Sequence, residues 1–201
     1  MLGRMCGLAG EQIGGATEAL VCADLACAEQ VITTHERLRV LNRVVEDGVV
    51  RLLSLQAPVA RDLRTVVSCL RNAADAERMG ALAVHVAKVA RRRHPARAVP
   101  EGISGYFGEM GRLAVDLSAA ARQAVLVGDP VRAAHIGDDD AAMDDVHRQL
   151  FTVLSEQPWP YEVATAVDVT LLGRFYERFA DHAVRIGRHV VFEATGRAAP
   201  S

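Results

Sequence analysis

Chain breakers are few in this sequence, and their positions leave room for long helices and little else. Asp24 closes a first segment, Gln56-Ala57-Pro58 a second, and the stretch from Pro95 to Pro100 a third. Asp129-Pro130 and Pro158-Trp159-Pro160 divide the second half of the chain, so five breaks leave six segments. Asp129 before Pro130 is the chemistry of a helix start, because the carboxylate accepts an orphan N–H and proline has none to leave unpaired. Pro58 and Pro160 are expected to open helices for the same reason. One helix should then run from Pro58 to about His94, about 55 Å at 1.5 Å per residue, and its neighbours must be comparably long.

Between the breaks, apolar residues recur at spacings of three and four. Val169, Leu172, Tyr176, Phe179, Ala183, Ile186 and Val190 form one such stripe, and Leu38, Leu41, Val45, Val49 and Leu52 another. This is the period of amphipathic helices. Half of the 201 residues are apolar but only 4% are aromatic, so Ala, Val and Leu must fill the interior. That mixture suits packed helices better than a sandwich or barrel. Cys69 continues the stripe of Ala76, Met79, Ala83 and Val86 and is expected in the core.

Self-comparison explains why the segments number six. A shift of 105 residues lays Met5-x-x-Leu8-Ala9 on Met110-x-x-Leu113-Ala114, Asp24 on Asp129, and Leu38-x-x-Leu41 on Met143-x-x-Val146. A shift of 100 lays Glu77-Arg78 on Glu177-Arg178 and Ala83-Val84 on Ala183-Val184. The five-residue change falls at the turn between the second and third helix of each copy. The expected fold is therefore all-α, two tandem three-helix bundles at residues 1–96 and 101–197 that meet near Pro95 to Pro100. Each bundle is expected to use its own apolar stripes, leaving exposed faces for partners.

With 23 basic against 25 acidic residues the formal charge is −2, which excludes a nucleic-acid binder that relies on an overall positive surface. Cys6, Cys22, Cys27 and Cys69 show neither C-x-x-C spacing nor the density of a disulfide scaffold, so a reducing compartment is expected. No early apolar run is long enough for a signal peptide, and no stretch of 18 uncharged apolar residues occurs. The expected location is the cytoplasm, with the membrane reached only through protein partners.

The most specific chemical feature is a pair of acidic i, i+4 motifs in the second copy, Asp140-x-x-x-Asp144 and Glu177-x-x-x-Asp181. Each pair shares a helical face, with side chains about 6 Å apart. If the faces meet, the carboxylates repel one another unless cations intervene, and oxygen donors suit hard or borderline ions. Helical angles put such a cluster in a shallow surface groove. The other reading is ordinary solvated acids, with Arg148 and Arg185 four residues after Asp144 and Asp181 as partners. In the first copy the equivalent positions are His35, Arg39, Glu77 and Ala81, so a matching site is lost there and Arg39 is expected to pair with Glu77.

Other features carry less. Asp144-x-x-His147 is half of a di-iron motif without its second half. Arg91-Arg92-Arg93 closes the third helix, where cations complement the negative end of the dipole; it is the sole support for a nucleic-acid or membrane contact. No Walker-type loop, nucleophile elbow or zinc spacing is present. A long helical surface with no complete nucleophile, base and oxyanion arrangement favours a non-enzymatic binding protein, and a carboxylate-cluster bundle with metalloenzyme or metal-storage activity is the alternative.

Leu55-Gln56-Ala57-Pro58-Val59-Ala60-Arg61-Asp62-Leu63-Arg64, followed by Asp75-Ala76-Glu77-Arg78-Met79-Gly80, resembles the signature of the PhoU family of phosphate-signalling regulators. Glu177-Arg178-Phe179-Ala180-Asp181-His182-Ala183 resembles that family's motif in the second copy. The resemblance spans Met5 to Gly196, and the detail from Ala76 to Lys88 is similar to the actinobacterial branch. Lys88 is the only one of the 23 basic residues that is not arginine, which agrees with that branch. The first helix lacks a turn or more that members usually carry before the position of Met5.

The resemblance implies a cytosolic homodimer that links the ATPase subunit of a phosphate transporter to a sensor histidine kinase and keeps phosphate-starvation genes off when phosphate is plentiful. It also implies metal clusters on acidic motifs in some members. Asp140, Asp144, Glu177 and Asp181 are then the candidate ligands for iron, manganese, magnesium or zinc. Arg61 and Arg64, on the helix after the first motif's turn, are the candidate partner-binding residues.

Overall fold

Asp24 and Asp129 each cap the helix that comes after them. The Asp24 side chain accepts the Cys27 N–H at 3.0 Å, and Asp129 Oδ1 accepts the Val131 N–H at 2.9 Å. The computed structural model describes residues 1–155 and 159–197, so Pro158 lies outside the described residues. The helices are α1 (Leu2–Cys22), α2 (Leu25–Gln56), α3 (Ala60–Arg93), α4 (Glu101–Val127), α5 (Pro130–Ser155) and α6 (Val163–Thr195). No strand occurs among the described residues.

Two of the three expected proline starts are displaced. α3 begins at Ala60 behind an extended Val59, and α6 begins at Val163 behind Glu162, so Pro58 and Pro160 lie in the connections. The reason is the residue before each proline. Asp129 has a side-chain acceptor to cap Pro130, whereas Ala57 and Trp159 have none. Ala57 instead takes a left-handed conformation, φ 41°, that closes α2.

α1, α2 and α3 pack on one another, as do α4, α5 and α6, and each triplet is an up-down-up bundle. The bundles do not merely meet near Pro95 to Pro100. α1 lies antiparallel along α4, with Gly3 facing Leu126 at one end and Thr17 facing Gly111 at the other. α3 lies antiparallel along α6, with Arg64 beside Gly196 and Arg92 and Arg93 beside Asp168. These four helices form the centre, and among the described residues α2 and α5 pack on helices of their own repeats. Contrary to the expectation from the stripes, one continuous core joins both repeats.

The reason the helices dock is the residues on their facing sides. α1 and α4 approach closely because Gly10 faces Ser118 and Gly111 faces Thr17. Ser118 Oγ donates to the Cys6 carbonyl at 2.6 Å across this contact. Thr17 Oγ1 donates to its own helix at Ile13, 2.7 Å away, so the Tyr176 hydroxyl, 2.8 Å distant and fully buried, must donate to Thr17. A short polar chain thus connects α1 to α6 inside an otherwise apolar interior.

This packing reverses the usual benefit of replacing a helical glycine. A Cβ on Gly111 would lie 2.4 Å from Thr17 Cγ2, whereas one on Gly108 of the same helix would meet nothing within 4 Å. Gly111→Ala should therefore destabilise the protein by about 1–3 kcal/mol through overpacking. Gly108→Ala should stabilise it by up to about 1 kcal/mol through helix propensity. Urea unfolding of the two variants beside the parent protein measures both signs.

Candidate functional site

The α5/α6 contact brings the two acidic motifs to one outer face. Asp140 and Glu177 are half-buried between the helices, and Asp144 and Asp181 are exposed at the rim. The Asp140 carboxyl is raised from 3.8 to about 6, first by burial and then by the charges of Asp144, Asp181 and Glu177, against a small opposing effect of Arg188. The four side chains are thus electrostatic neighbours on a shallow surface, as the helical angles imply.

Their counter-charges differ from those expected. Arg148 pairs with Asp145 at 2.6 Å, not with Asp144, and Arg185 leans towards Asp75 at 3.5 Å, not towards Asp181. Arg174 holds Glu177 at 2.7 Å. Among the described residues no three His, Cys, Asp or Glu side chains converge as a ligand set. The face offers charge and the right donor type to a cation but no preformed coordination shell. A tightly held structural metal does not fit this arrangement as it stands.

At the equivalent place in the first repeat a histidine faces the remaining acid. His35 Nε2 lies 3.4 Å from Glu77 Oε1, and this contact is the main cause holding the Glu77 carboxyl below its ordinary range. Arg39 does not pair with Glu77. It reaches outward to Glu36 at 3.0 Å because an arginine this exposed finds its i−3 neighbour before it can turn inward.

His147 is packing rather than half of a metal motif. Its ring meets Phe151 edge-on at 4.9 Å and lies against Gly173 of α6. Cys69 is only half-buried and lines a groove of about 380 Å³ with Arg61 and Asn72. It packs against the edge of the core and not inside it, because that stretch of α3 borders the groove. Arg61 is exposed, but Arg64 is half-buried against the end of α6 at Gly196, with its Nε shielded from solvent. Of the two candidate partner residues, Arg61 has the more exposed side chain.

Arg91, Arg92 and Arg93 have definite partners as well as a favourable helix end. Arg91 reaches Glu29 at 3.3 Å. Arg92 and Arg93 clamp Asp168 of α6, which is only 3% exposed, and Arg93 Nε donates to it at 2.7 Å. About 25 Å away on the same seam, by the rise of about 1.5 Å per residue, Asp75 is equally buried. It accepts from His182 Nδ1 at 2.8 Å, and His189 stands 3.5 Å from its other oxygen.

Beside Asp75, α3 and α6 diverge into a groove of about 430 Å³ lined by Arg78, Arg174, Arg178 and Arg185. The sequence alone does not single out this group. Arg174, Arg178 and Arg185 share the i, i+4, i+11 spacing of one helical face, but Arg78 joins them only through the docking of the repeats.

A family model described as the PhoU domain matches residues 2–90 and again residues 107–190. Among the relatives, the phosphate-specific transport system accessory protein PhoU homolog 2 of Mycobacterium tuberculosis is 59% identical over 97% of this chain and 92% of its own length. The homolog 1 of Mycobacterium leprae is 56% identical over 97% of this chain and 88% of its own length. Among solved structures, the crystal structure of PhoU from Pseudomonas aeruginosa superposes with a TM-score of 0.87 at 27% identity, covering 98% of this chain and 94% of that one.

The raised Asp140 carboxyl has a measurable consequence for stability. The folded protein keeps a proton up to about pH 6 that the unfolded chain releases near 3.8, so this group makes stability fall as pH rises between those values. Above pH 6 its full charge opposes folding. Asp140→Asn should stabilise the protein at pH 7 by on the order of 1 kcal/mol after solvent screening, and by nothing measurable at pH 4. Thermal unfolding of the two proteins across this range checks both the size and the sign.

Proposed function

The chain belongs to the PhoU family, and on that premise we propose that it is a non-enzymatic accessory protein of phosphate transport and phosphate-starvation signalling. The observation that carries this reading is the 59% identity, across nearly all of both chains, to a relative named as a phosphate-specific transport accessory protein. In this reading the protein acts in the cytoplasm as a homodimer. It links the ATPase subunit of a phosphate transporter to a sensor histidine kinase and restrains the kinase when phosphate is plentiful.

The surface supports an adaptor in two respects. Among the described residues no helix is long and apolar enough to cross a membrane, so contact with a transporter would run through its protein subunits. The outer helices α2 and α5 pack on their own repeats, which leaves each with a free face for a partner. Arg61 and Arg64 of α3 are proposed to contribute to partner binding, with Arg61 the more exposed of the two.

A second reading concerns the acidic face. Asp140 is raised first by burial and then by the charges of Asp144, Asp181 and Glu177, and that second contribution favours uptake of a divalent or trivalent cation by rotation of the four side chains towards it, as an exchangeable ion and not a permanent cluster. Equilibrium dialysis with Mn²⁺ should find binding in the parent protein and at least a tenfold loss in Asp140→Ala/Glu177→Ala. Equal binding in the two proteins would remove this role from the quartet.

The regulatory reading is tested in cells. A clean deletion, with no paralogue to substitute, should leave a phosphate-starvation reporter switched on in phosphate-rich medium, and the intact gene should restore repression. A reporter that stays repressed in the deletion strain would overturn the adaptor function. Arg61→Glu should weaken capture of the transporter ATPase while shifting stability by no more than about 0.5 kcal/mol, as is usual at an exposed site.

A further inference from the structure

The groove between α3 and α6 concentrates positive charge in a chain whose formal charge is −2. Arg78 enters from α3, and Arg174, Arg178 and Arg185 enter from α6. Among the described residues no carboxylate lines it. Glu177 holds Arg174 from outside the groove, and the nearest carboxylate to Arg185 is Asp75, 3.5 Å away and already bonded to His182. Among the described residues neither Arg78 nor Arg178 has a carboxylate within 4 Å. Ala81 stands on the groove wall where the second repeat carries Asp181, so the duplication lacks an acid at this point.

Guanidinium groups gathered around one concavity, two of them paired at its edge with Glu177 and Asp75 and two with no carboxylate within 4 Å, repel each other and attract an anion. The arginines define what kind. From Arg174 to Arg185 they extend over about 16 Å of α6, more than a single phosphate or sulfate bridges. Arg78 faces them from the opposite wall. A planar monoanionic carboxylate presents its two oxygens to one fork, whereas each tetrahedral phosphate can accept from both walls at once. Several negative charges must also fit within about 430 Å³, at the small end of ordinary ligand sites. Condensed phosphates have that charge density and acidic peptides do not. The same groove carries a π surface, because His85 and Phe175 stack across it with ring centroids 5.2 Å apart.

We propose that the α3/α6 groove is a binding site for an oligophosphate, a chain of two or more condensed phosphates held by Arg78, Arg174, Arg178 and Arg185. The chain could be inorganic or esterified to a nucleoside, and the stacked His85 and Phe175 would meet the base in the second case. The site spans both repeats, so an anion there would tie α3 to α6 and strengthen the seam. This inference does not depend on the transport-linked function proposed above.

Isothermal titration of the full chain with tripolyphosphate, ATP and orthophosphate at 0.1 M salt tests it. Tripolyphosphate should bind at least tenfold more tightly than orthophosphate. Arg78→Gln/Arg178→Gln, two exposed changes that should leave the circular dichroism and melting temperature unaltered, should weaken it at least tenfold. ATP bound no more tightly than tripolyphosphate would assign the inorganic chain. Tighter binding of ATP, with the increment lost in Phe175→Leu, would assign the nucleoside form. Equal affinity for orthophosphate and tripolyphosphate, binding indifferent to the arginine double variant, or no binding would each overturn the proposal.

Discussion

Asp75 and Asp168 are each 3% exposed, and neither could be buried alone in a three-helix bundle. An isolated carboxylate taken from water is costly unless cations and donors are placed around it. Here each receives them from the other repeat: His182, His189 and Arg185 of α6 surround Asp75 of α3, and Arg92 and Arg93 of α3 clamp Asp168 of α6. The exchange is reciprocal, acid from one helix and base from its antiparallel neighbour. It favours the observed register of α3 on α6, in which both carboxylates meet basic side chains of the other repeat at once. The pairs are therefore better understood as selectors of register than as net contributors to stability.

The α1/α4 half of the seam reaches the same end by shape. Small residues at Gly10 and Gly111 admit Ser118 and Thr17, and the hydroxyls then find partners on the opposite helix or on Tyr176. With register set on both sides, the charges left over fall on separate surfaces. Carboxylates gather on the outer α5/α6 face, and guanidinium groups gather where α3 and α6 part beside Asp75. A nearly neutral chain thus carries two local fields of opposite sign.

The repeats share a backbone plan but have diverged in how they handle charge. Where the second leaves Asp140 and Glu177 to repel each other, the first sets His35 against Glu77 and turns Arg39 out to Glu36. The substitution of Ala81 for the acid at Asp181 clears a wall of the cationic groove. The same departure that removes a carboxylate site from one face therefore shapes an anion site on another.

The helices were legible from the sequence because their determinants are local. Caps at Asp24 and Asp129, apolar residues at three and four, and the repeated landmarks depend on neighbours within a turn or two, and so did the placing of Asp140 and Asp144, or Glu177 and Asp181, on one face. Displacement of the starts at Pro58 and Pro160 shows how far that reaches, since the missing cap was itself visible in Ala57 and Trp159. What the tertiary structure alone decided is which faces meet. Arg39, Arg148 and Arg185 each pair with a carboxylate other than the one their spacing suggested, and spacing along one helix does not rank such choices. Arg64 was drawn against the end of α6, and Arg78 was brought to the arginines of α6, by contacts between residues more than 90 positions apart. Helical period determines the direction of a side chain around its own axis; only the docking of one axis on another determines what it finds there.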